Sequence, residues 1–543
     1  MIQPLVDFRS RLAQREKEAL DASGFLTSAI RGFALTITVP SSSSPIKAPR
    51  SHLPAAMTLI SRLSCRRAGT RFNARGMDDD GNVANFVETE TIFWSPSGTC
   101  FSYAQVRGSV PIFWEQATGL LPGQQKITIT RSPEATQPAF DKHFENLELS
   151  YGAIHVVNLL SNEKQGESEL SKRYRGHIRH SPLNNSEEKG SSREHELIQL
   201  TEFDFHAETR GPGGYEMASM ISQWIRNSAD SFAYNLTDEE EDRGQSNHDG
   251  DRKSAPVTIL QQEGVFRTNC LDCLDRTNLV QTIISRMALE IFLKHKRLTA
   301  NPDFWARHSS MWADNGDALS RIYAGTGALK SSFTRHGKMS LAGALADARK
   351  SATRMYINNF ADKGRQNTID LLLGRLMGQM PVHLYDPIND YVVSELNKRS
   401  AEFTQQEVIH ILVGTFNLNG KMTGLNQDLS PWLCPDVNPS QQCPEIVAVG
   451  FQEIVELSPQ QIMSTDPTPR QAWESAVKKT LDANAKKHGK EEYVLLRGGQ
   501  LVGASLSIFV RAGILKSIKN VEGSLKKVRS PVKSFYTSSL IHW

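Results

Sequence analysis

Cysteine is scarce in this chain, with six among 543 residues, too few to serve as a disulfide scaffold and in keeping with a reducing, cytoplasmic setting. No stretch reaches the roughly 18 apolar residues a spanning helix needs, so any membrane contact is expected to be peripheral. Met1 to Leu12 mixes apolar and charged residues without an apolar core, which excludes a signal peptide. One-sided charge is missing as well. Sixty-two basic side chains against fifty-nine acidic ones leave +3, which does not suit a dedicated nucleic-acid binder. No internal repeat marks a solenoid.

What is there is enough to build large cores. Apolar residues make up 39% and charged residues 22% of the chain, which excludes global disorder, and the length suggests three or four domains of about 150 residues. Polar, turn-rich stretches at Pro40–Pro49, Ser181–Arg193 and Asp238–Lys253 read as solvated insertions. Between them strands and helices alternate. Ile127–Thr130 and Ile154–Leu160 read as strands, Tyr215–Ile225 as a helix, and Val257–Leu260 and Val265–Arg267 as short buried strands. From Thr277 onward Leu279, Val280, Ile283, Ile284, Met287 and Ile291 share one helical face. A polar stretch near Ser394–Gln406 reads as a link, and apolar runs at Val408–Val413 and Ile446–Phe451 open a second unit. The class is α/β.

The chemistry concentrates in Arg267–Asn278, RTNCLDCLDRTN. Cys270 stands six residues before Arg276, and the motif follows a strand and opens a helix. Five intervening residues can wrap amide groups around one point, with the thiol at the floor and the positive helix end aimed at it. A phosphate there would be clamped by Arg276, and the same field favours a thiolate able to attack phosphorus. Asp272 is the candidate acid/base, and Asp275 instead orients Arg276 on the substrate side. From spacing alone, Cys270 and Cys273 are also compatible with half a zinc site or a redox pair, although no second Cys-x2-Cys accompanies them.

The whole string resembles the active-site motif of the Sac phosphoinositide phosphatases. The likeness extends through Ser61–Gly76, Asn85–Glu90, Arg107–Gln116, Trp312–Leu319, Tyr323–Lys330 and Asp362–Asn367, covering about residues 1–375. It implies metal-free hydrolysis of inositol-ring phosphates on membrane lipids by a Cys270 nucleophile and an Arg276 clamp. Thr277 and Asn278 follow within the motif as substrate contacts. Lys330, Arg335 and Lys338 form one basic cluster and Arg66, Arg67, Arg71 and Arg75 another. Either faces an anionic bilayer or a second ring phosphate, or is plain solvated surface. The N-terminal subdomain is expected to be shortened, because the resemblance normally begins further upstream than Pro4–Leu12.

Downstream, Gly414–Gly420 and Phe451–Leu457 put Asn417 and Glu453 at the ends of apolar runs, a hard-oxygen pair suited to Mg²⁺. With Tyr493–Gly503, Ser507–Arg511 and Ile518–Lys527 they resemble the inositol-polyphosphate 5-phosphatase domain, in which Asn417 and Glu453 would be metal ligands. A Sac domain followed by a 5-phosphatase domain is the synaptojanin arrangement. The expected architecture is a Sac-type catalytic domain at 1–390, a linker at 391–407, a partial α/β sandwich at 408–527 and an unrelated tail at 528–543. The sandwich is expected to be poorly packed and inactive, since the later motifs of that domain do not follow Lys527. Phosphoinositides are the expected partners, with no nucleic acid. The alternative is a catalytically impaired remnant that binds phosphoinositides without turnover.

Overall fold

The computed structural model describes residues 9–540 apart from 11, 25–29, 48–52, 72, 117–126, 185–196, 212–213, 240–255, 273, 330, 337–340, 361, 374–386, 406, 435–442, 457, 459–460, 462–465, 520, 522–523 and 528–536. Its N-terminal unit is built on one mixed sheet. Strands β1 (Gly32–Val39), β2 (Ala55–Leu63), β3 (Val87–Trp94) and β4 (Cys100–Arg107) form an antiparallel meander. In β2 and β3 buried and half-buried positions alternate along the strand, the period-2 signature of a sheet with two unlike faces. A short ribbon, β5 (Trp114–Gln116) with β6 (Ile127–Ile129), lies apart from the sheet.

The sheet then turns parallel. β7 (Ala153–Asn158), β8 (Ile198–Glu202) and, after the antiparallel pair β9 (Asn235–Glu239) and β10 (Pro256–Leu260), β11 (Gly264–Asn269) complete it in the order β1-β2-β3-β4-β11-β7-β8. All six residues of β11 are buried, as expected of a central strand covered on both faces. Helices α1 (Pro133–Tyr151) and α2 (Gln165–His180) cover one face with Phe140, Phe144, Leu170 and Tyr174 over Ile154, Val156 and Val265. Helices α3 (Asp275–His295) and α4 (Pro302–Ala324) cover the other, packing Val280, Ile284, Phe292, Phe304 and Trp312 onto Met57, Phe93, Phe101 and Phe266. Helix α4 starts on an Asn301 side-chain cap followed by Pro302 and stops at Gly325, whose φ of +81° suits glycine.

The C-terminal unit is a four-stranded sheet of β12 (Ile411–Asn417), β13 (Ile446–Gln452), β14 (Tyr493–Leu501) and β15 (Ala504–Arg511), in the order β12-β13-β15-β14. Helix α5 (Thr468–Lys487) packs Trp473, Val477 and Leu481 against Val447, Val449, Phe451, Tyr493 and Phe509. This face is a proper core, which corrects the expectation of poor packing. The opposite face is bare at β12, where Ile411 and Val413 are exposed.

Several readings shift. The Pro40–Pro49 stretch is no free insertion: Ser43 and Ser44 are buried, and Ser43 Oγ donates to Asp303 at 2.6 Å. Tyr215–Ile225 is a 3₁₀ segment, Gly214–Met220, followed by one α-turn, Ile221–Trp224. The stretch read as a linker is helical over Pro387–Lys398 and again over Ser400–Phe403. Ile388, Tyr391, Val392 and Leu396 stand there at helical spacing, a signal that the surrounding polar residues mask. Val408–Val413 gives way to a strand beginning at Ile411, set by its register against Ile446. Asp238 and Glu239 belong to β9, while most of that insertion, and residues 185–196 of the preceding one, lie outside the described residues. Of the tail, Thr537–Leu540 pairs with Ser524–Lys527.

Candidate active site

Open α/β sheets present ligand sites beyond the carboxyl ends of their parallel strands, and three such ends meet here. β11 runs directly into Cys270, β7 into Leu159, and β8 into Asp204, Phe205 and His206. Asp204 ties two of these ends together, its Oδ1 accepting from the His206 and Ala207 amides at 3.1 and 3.0 Å and its Oδ2 from the Asn162 amide at 2.7 Å. These hydrogen bonds hold its carboxyl below the usual range against the opposing effect of burial. A pocket of about 230 Å³ opens between them. Cys270, Asp272, Asp275 and Arg276 line it together with Phe205, His206, Leu329, Phe333 and Thr334.

Cys270 is almost wholly buried at this floor, and Thr277 Oγ1 donates to its Sγ at 3.2 Å. Helix α3 begins at Asp275, two residues earlier than its apolar periodicity suggests, so Arg276 sits in the first turn. Arg276 Nη1 donates to the Leu159 carbonyl at 2.9 Å and to Glu167 Oε2 at 3.0 Å. Burial opposes its charge, but attraction to Cys270 and Glu167 outweighs burial and raises its pKa above the ordinary value. His206 has its pKa lowered by burial and by the neighbouring Arg276 and Lys164, which leaves a neutral imidazole at neutral pH.

The two carboxylates of the motif are unlike each other. Asp272 takes a bidentate pair from Arg71, with Nε at 3.0 Å, and a further bond from Arg75 at 2.6 Å. Burial alone would raise its pKa; the two guanidinium groups override that and hold it far below the usual carboxylate range. Asp272 therefore holds no proton at neutral pH, which counts against it as the proton donor. Asp275 accepts from the Leu329 amide at 2.6 Å and from Arg354 at 3.3 Å, and burial raises its pKa in spite of them. Of the two carboxyls, Asp275 is thus the one whose pKa is shifted upward.

Other sequence candidates are placed differently. Asn278 donates to the Trp312 carbonyl at 2.8 Å and accepts from Asn315 at 3.3 Å, joining α3 to α4. Arg335 is engaged by Ser310 and Asp314. Arg71 and Arg75 bind Asp272, and Arg67 binds the Arg75 carbonyl at 2.6 Å, so three of this basic cluster are engaged around the loop, while Arg66 is exposed. Lys330, Lys338 and Cys273 lie outside the described residues. Glu167, His206, Asp204 and Arg354 were missed, because only the tertiary fold brings α2, the β8 end and the segment after α4 to the motif.

In the C-terminal unit β12 and β13 are parallel neighbours, and Asn417 Nδ2 lies 3.2 Å from Glu453 Oε1, with Asn417 exposed and Glu453 half-buried. Glu453 adopts a left-handed φ of +49°, a conformation a non-glycine residue holds only at a cost. Asn417 Oδ1 accepts the Asn419 amide at 2.9 Å, which leaves one lone pair of that oxygen and the Glu453 carboxylate as what the pair can offer a Mg²⁺ that retains several waters.

Asp272→Ala is expected to destabilise the N-terminal unit by about 3 kcal/mol, read from its urea transition, because two guanidinium groups lose their counter-charge. The depressed pKa gives this contribution its pH window: it is fully present above about pH 4, the unfolded carboxylate value, and is lost as pH falls toward the folded one.

Cys270 and Arg276 thus line one pocket just after the buried central strand of an α/β unit. Residues 1–210 match the family described as the SacI homology domain, and residues 414–531 match endonuclease/exonuclease/phosphatase family 2. The chain is 52% identical over 527 residues to inositol-1,4,5-trisphosphate 5-phosphatase 1 of Schizosaccharomyces pombe, spanning 97% of this chain and 44% of that protein. It is 46% identical to polyphosphatidylinositol phosphatase INP53 of Saccharomyces cerevisiae over 97% of this chain and 44% of that one, and 35% identical to human synaptojanin-1 over 87% and 29%. The chain is synaptojanin-like, a SacI homology domain followed by a 5-phosphatase-type segment, and it spans less than half the length of these relatives.

Proposed function

We propose that this chain hydrolyses inositol-ring phosphate monoesters of membrane phosphoinositides at Cys270. The observation that carries the reading is the Cys270 sulfur at the floor of a pocket, bonded by Thr277 and flanked by Arg276, beside a carboxyl of raised pKa. Arg276 and Thr277 favour the thiolate. The Sγ–P bond forms as the bond from phosphorus to the ring oxygen breaks, and Asp275 gives its proton to that departing oxygen. Asp275 then takes a proton from water, the oxygen attacks phosphorus, the S–P bond breaks, and inorganic phosphate leaves with the thiolate restored. Thr277 is a positioning residue for the sulfur. Asp272 keeps the loop in place from between its two arginines.

Lipid contact is peripheral in this reading; among the described residues no helix is long and apolar enough to cross a membrane. Asn417 and Glu453 would hold Mg²⁺, which as a Lewis acid polarises a phosphoryl oxygen. They supply two ligands, and among the described residues no group of three or more His, Cys, Asp or Glu side chains gathers to hold a metal. We therefore assign turnover in this chain to Cys270 alone.

The test is phosphate release from short-chain phosphatidylinositol 4-phosphate by the full chain in EDTA. Turnover unchanged by chelator or by added Mg²⁺ is expected. Binding without release in either condition would overturn the assignment in favour of a non-catalytic phosphoinositide-binding chain.

A further inference from the structure

The ribbon β5–β6 is held between the two units. We infer that the C-terminal sheet positions the phosphate loop through this ribbon, with Glu115 and Arg497 as its outer contact and Gln116 and Arg75 as its inner one. The inference rests on the reading of Cys270 as the nucleophile.

On the outer side, Arg497 of β14 donates to Glu115 at 2.7 Å. The backbone continues the contact: the Gly498 amide donates to the Thr130 carbonyl at 2.9 Å, and the Ser132 amide to the Leu495 carbonyl at 3.2 Å. Arg131, between them, lies over the Phe113 ring at 3.6 Å, pairs with Asp79 and donates to the Val521 carbonyl at 3.3 Å, while Asp79 accepts the Val521 amide at 3.0 Å. An edge strand of one sheet is thus paired with the chain just past β6, which covers an edge that would otherwise be open.

On the inner side the alternation of β5 decides what is transmitted. Trp114 and Gln116 are buried and Glu115 between them is exposed, so one strand of three residues faces both ways. Arg75 sits 5.3 Å from the Trp114 ring centroid and donates to Gln116 Oε1 at 2.5 Å. The same guanidinium donates to the Leu271 carbonyl at 2.9 Å and to Asp272 at 2.6 Å. Leu271 and Asp272 are the two residues after Cys270. A shift of β5 therefore moves the hydrogen bonds that hold the loop, whereas the loop's floor, β11, is anchored independently by β4 and β7.

The test is a charge exchange in the full chain: Arg497→Glu, Glu115→Arg and the two together. Each single change sets like charges against each other; the pair restores attraction. Hydrogen exchange of the 114–132 and 270–276 segments is the primary readout and needs no activity. Faster exchange in both segments in each single variant, reverting in the double variant, is expected. With it, kcat on short-chain phosphatidylinositol 4-phosphate should fall about tenfold with KM little changed, since geometry and not binding is disturbed. Loosening of 114–132 without loosening of 270–276 would overturn the relay, and so would no change in either segment. If the unaltered chain shows no turnover at all, the functional reading fails while the exchange data still decide the relay.

Discussion

Replacing Cys270 by serine is expected to lower phosphate release by roughly 10³-fold or more, about 4 kcal/mol of barrier, while leaving binding of phosphatidylinositol 4-phosphate intact. A serine hydroxyl at this position is neutral at working pH, and Thr277 and Arg276 cannot ionise it without an adjacent base. Among the described residues lining the pocket, His206 is the one imidazole, and its Nε2 is engaged by Lys164 Nζ at 3.0 Å. Cys270 belongs to the main core cluster as well as to the pocket. Serine is close in size, and the fold should survive. Unchanged melting with abolished release therefore separates chemistry from folding, and residual release near the unaltered rate would place the reaction elsewhere.

The second large effect concerns Asp275. Asparagine at this position keeps an acceptor for the Leu329 amide but has no acidic proton to give. A fall in kcat of about 10²-fold is expected, the size of a lost general acid. The pH dependence is more telling. Because burial raises the Asp275 pKa, the carboxyl stays protonated to higher pH than a solvated one, and a reaction that needs the proton declines as pH rises through that value. Asp275→Asn should remove this alkaline limb from the kcat profile. A limb that persists in Asp275→Asn assigns the proton to another group, and Asp272 is the weakest alternative because its pKa is depressed.

Much of this site was readable before folding was considered. Cys270, Arg276 and Thr277 are close in sequence, so local geometry of a strand, a loop and a helix start is enough to bring them together. Asn417 and Glu453 were legible for a related reason: each closes a strand, and parallel pairing of adjacent strands makes strand ends neighbours. The partners that set the charge states could not be read in this way. Arg71 and Arg75 stand about two hundred positions before Asp272, and in sequence they look like any basic patch. Glu167 faces Arg276 only because α2 packs beneath the β7 end. Asp275 differs from Asp272 through Arg354 and Leu329 on one side and two arginines on the other, a difference with no sequence signature. The helical 387–398 segment was obscured by its polar composition, and the two-sidedness of β5 by the strand being only three residues long.

The central claim is that one sulfur receives the phosphoryl group. Rapid quenching of the full chain with short-chain phosphatidylinositol 4-phosphate, followed by mass spectrometry of the peptide holding Cys270, tests it most directly. A phosphoryl group on Cys270 that forms before free phosphate appears, and that accumulates in Asp275→Asn, is the expected result. Release of phosphate with that peptide unmodified at every time point would contradict the account.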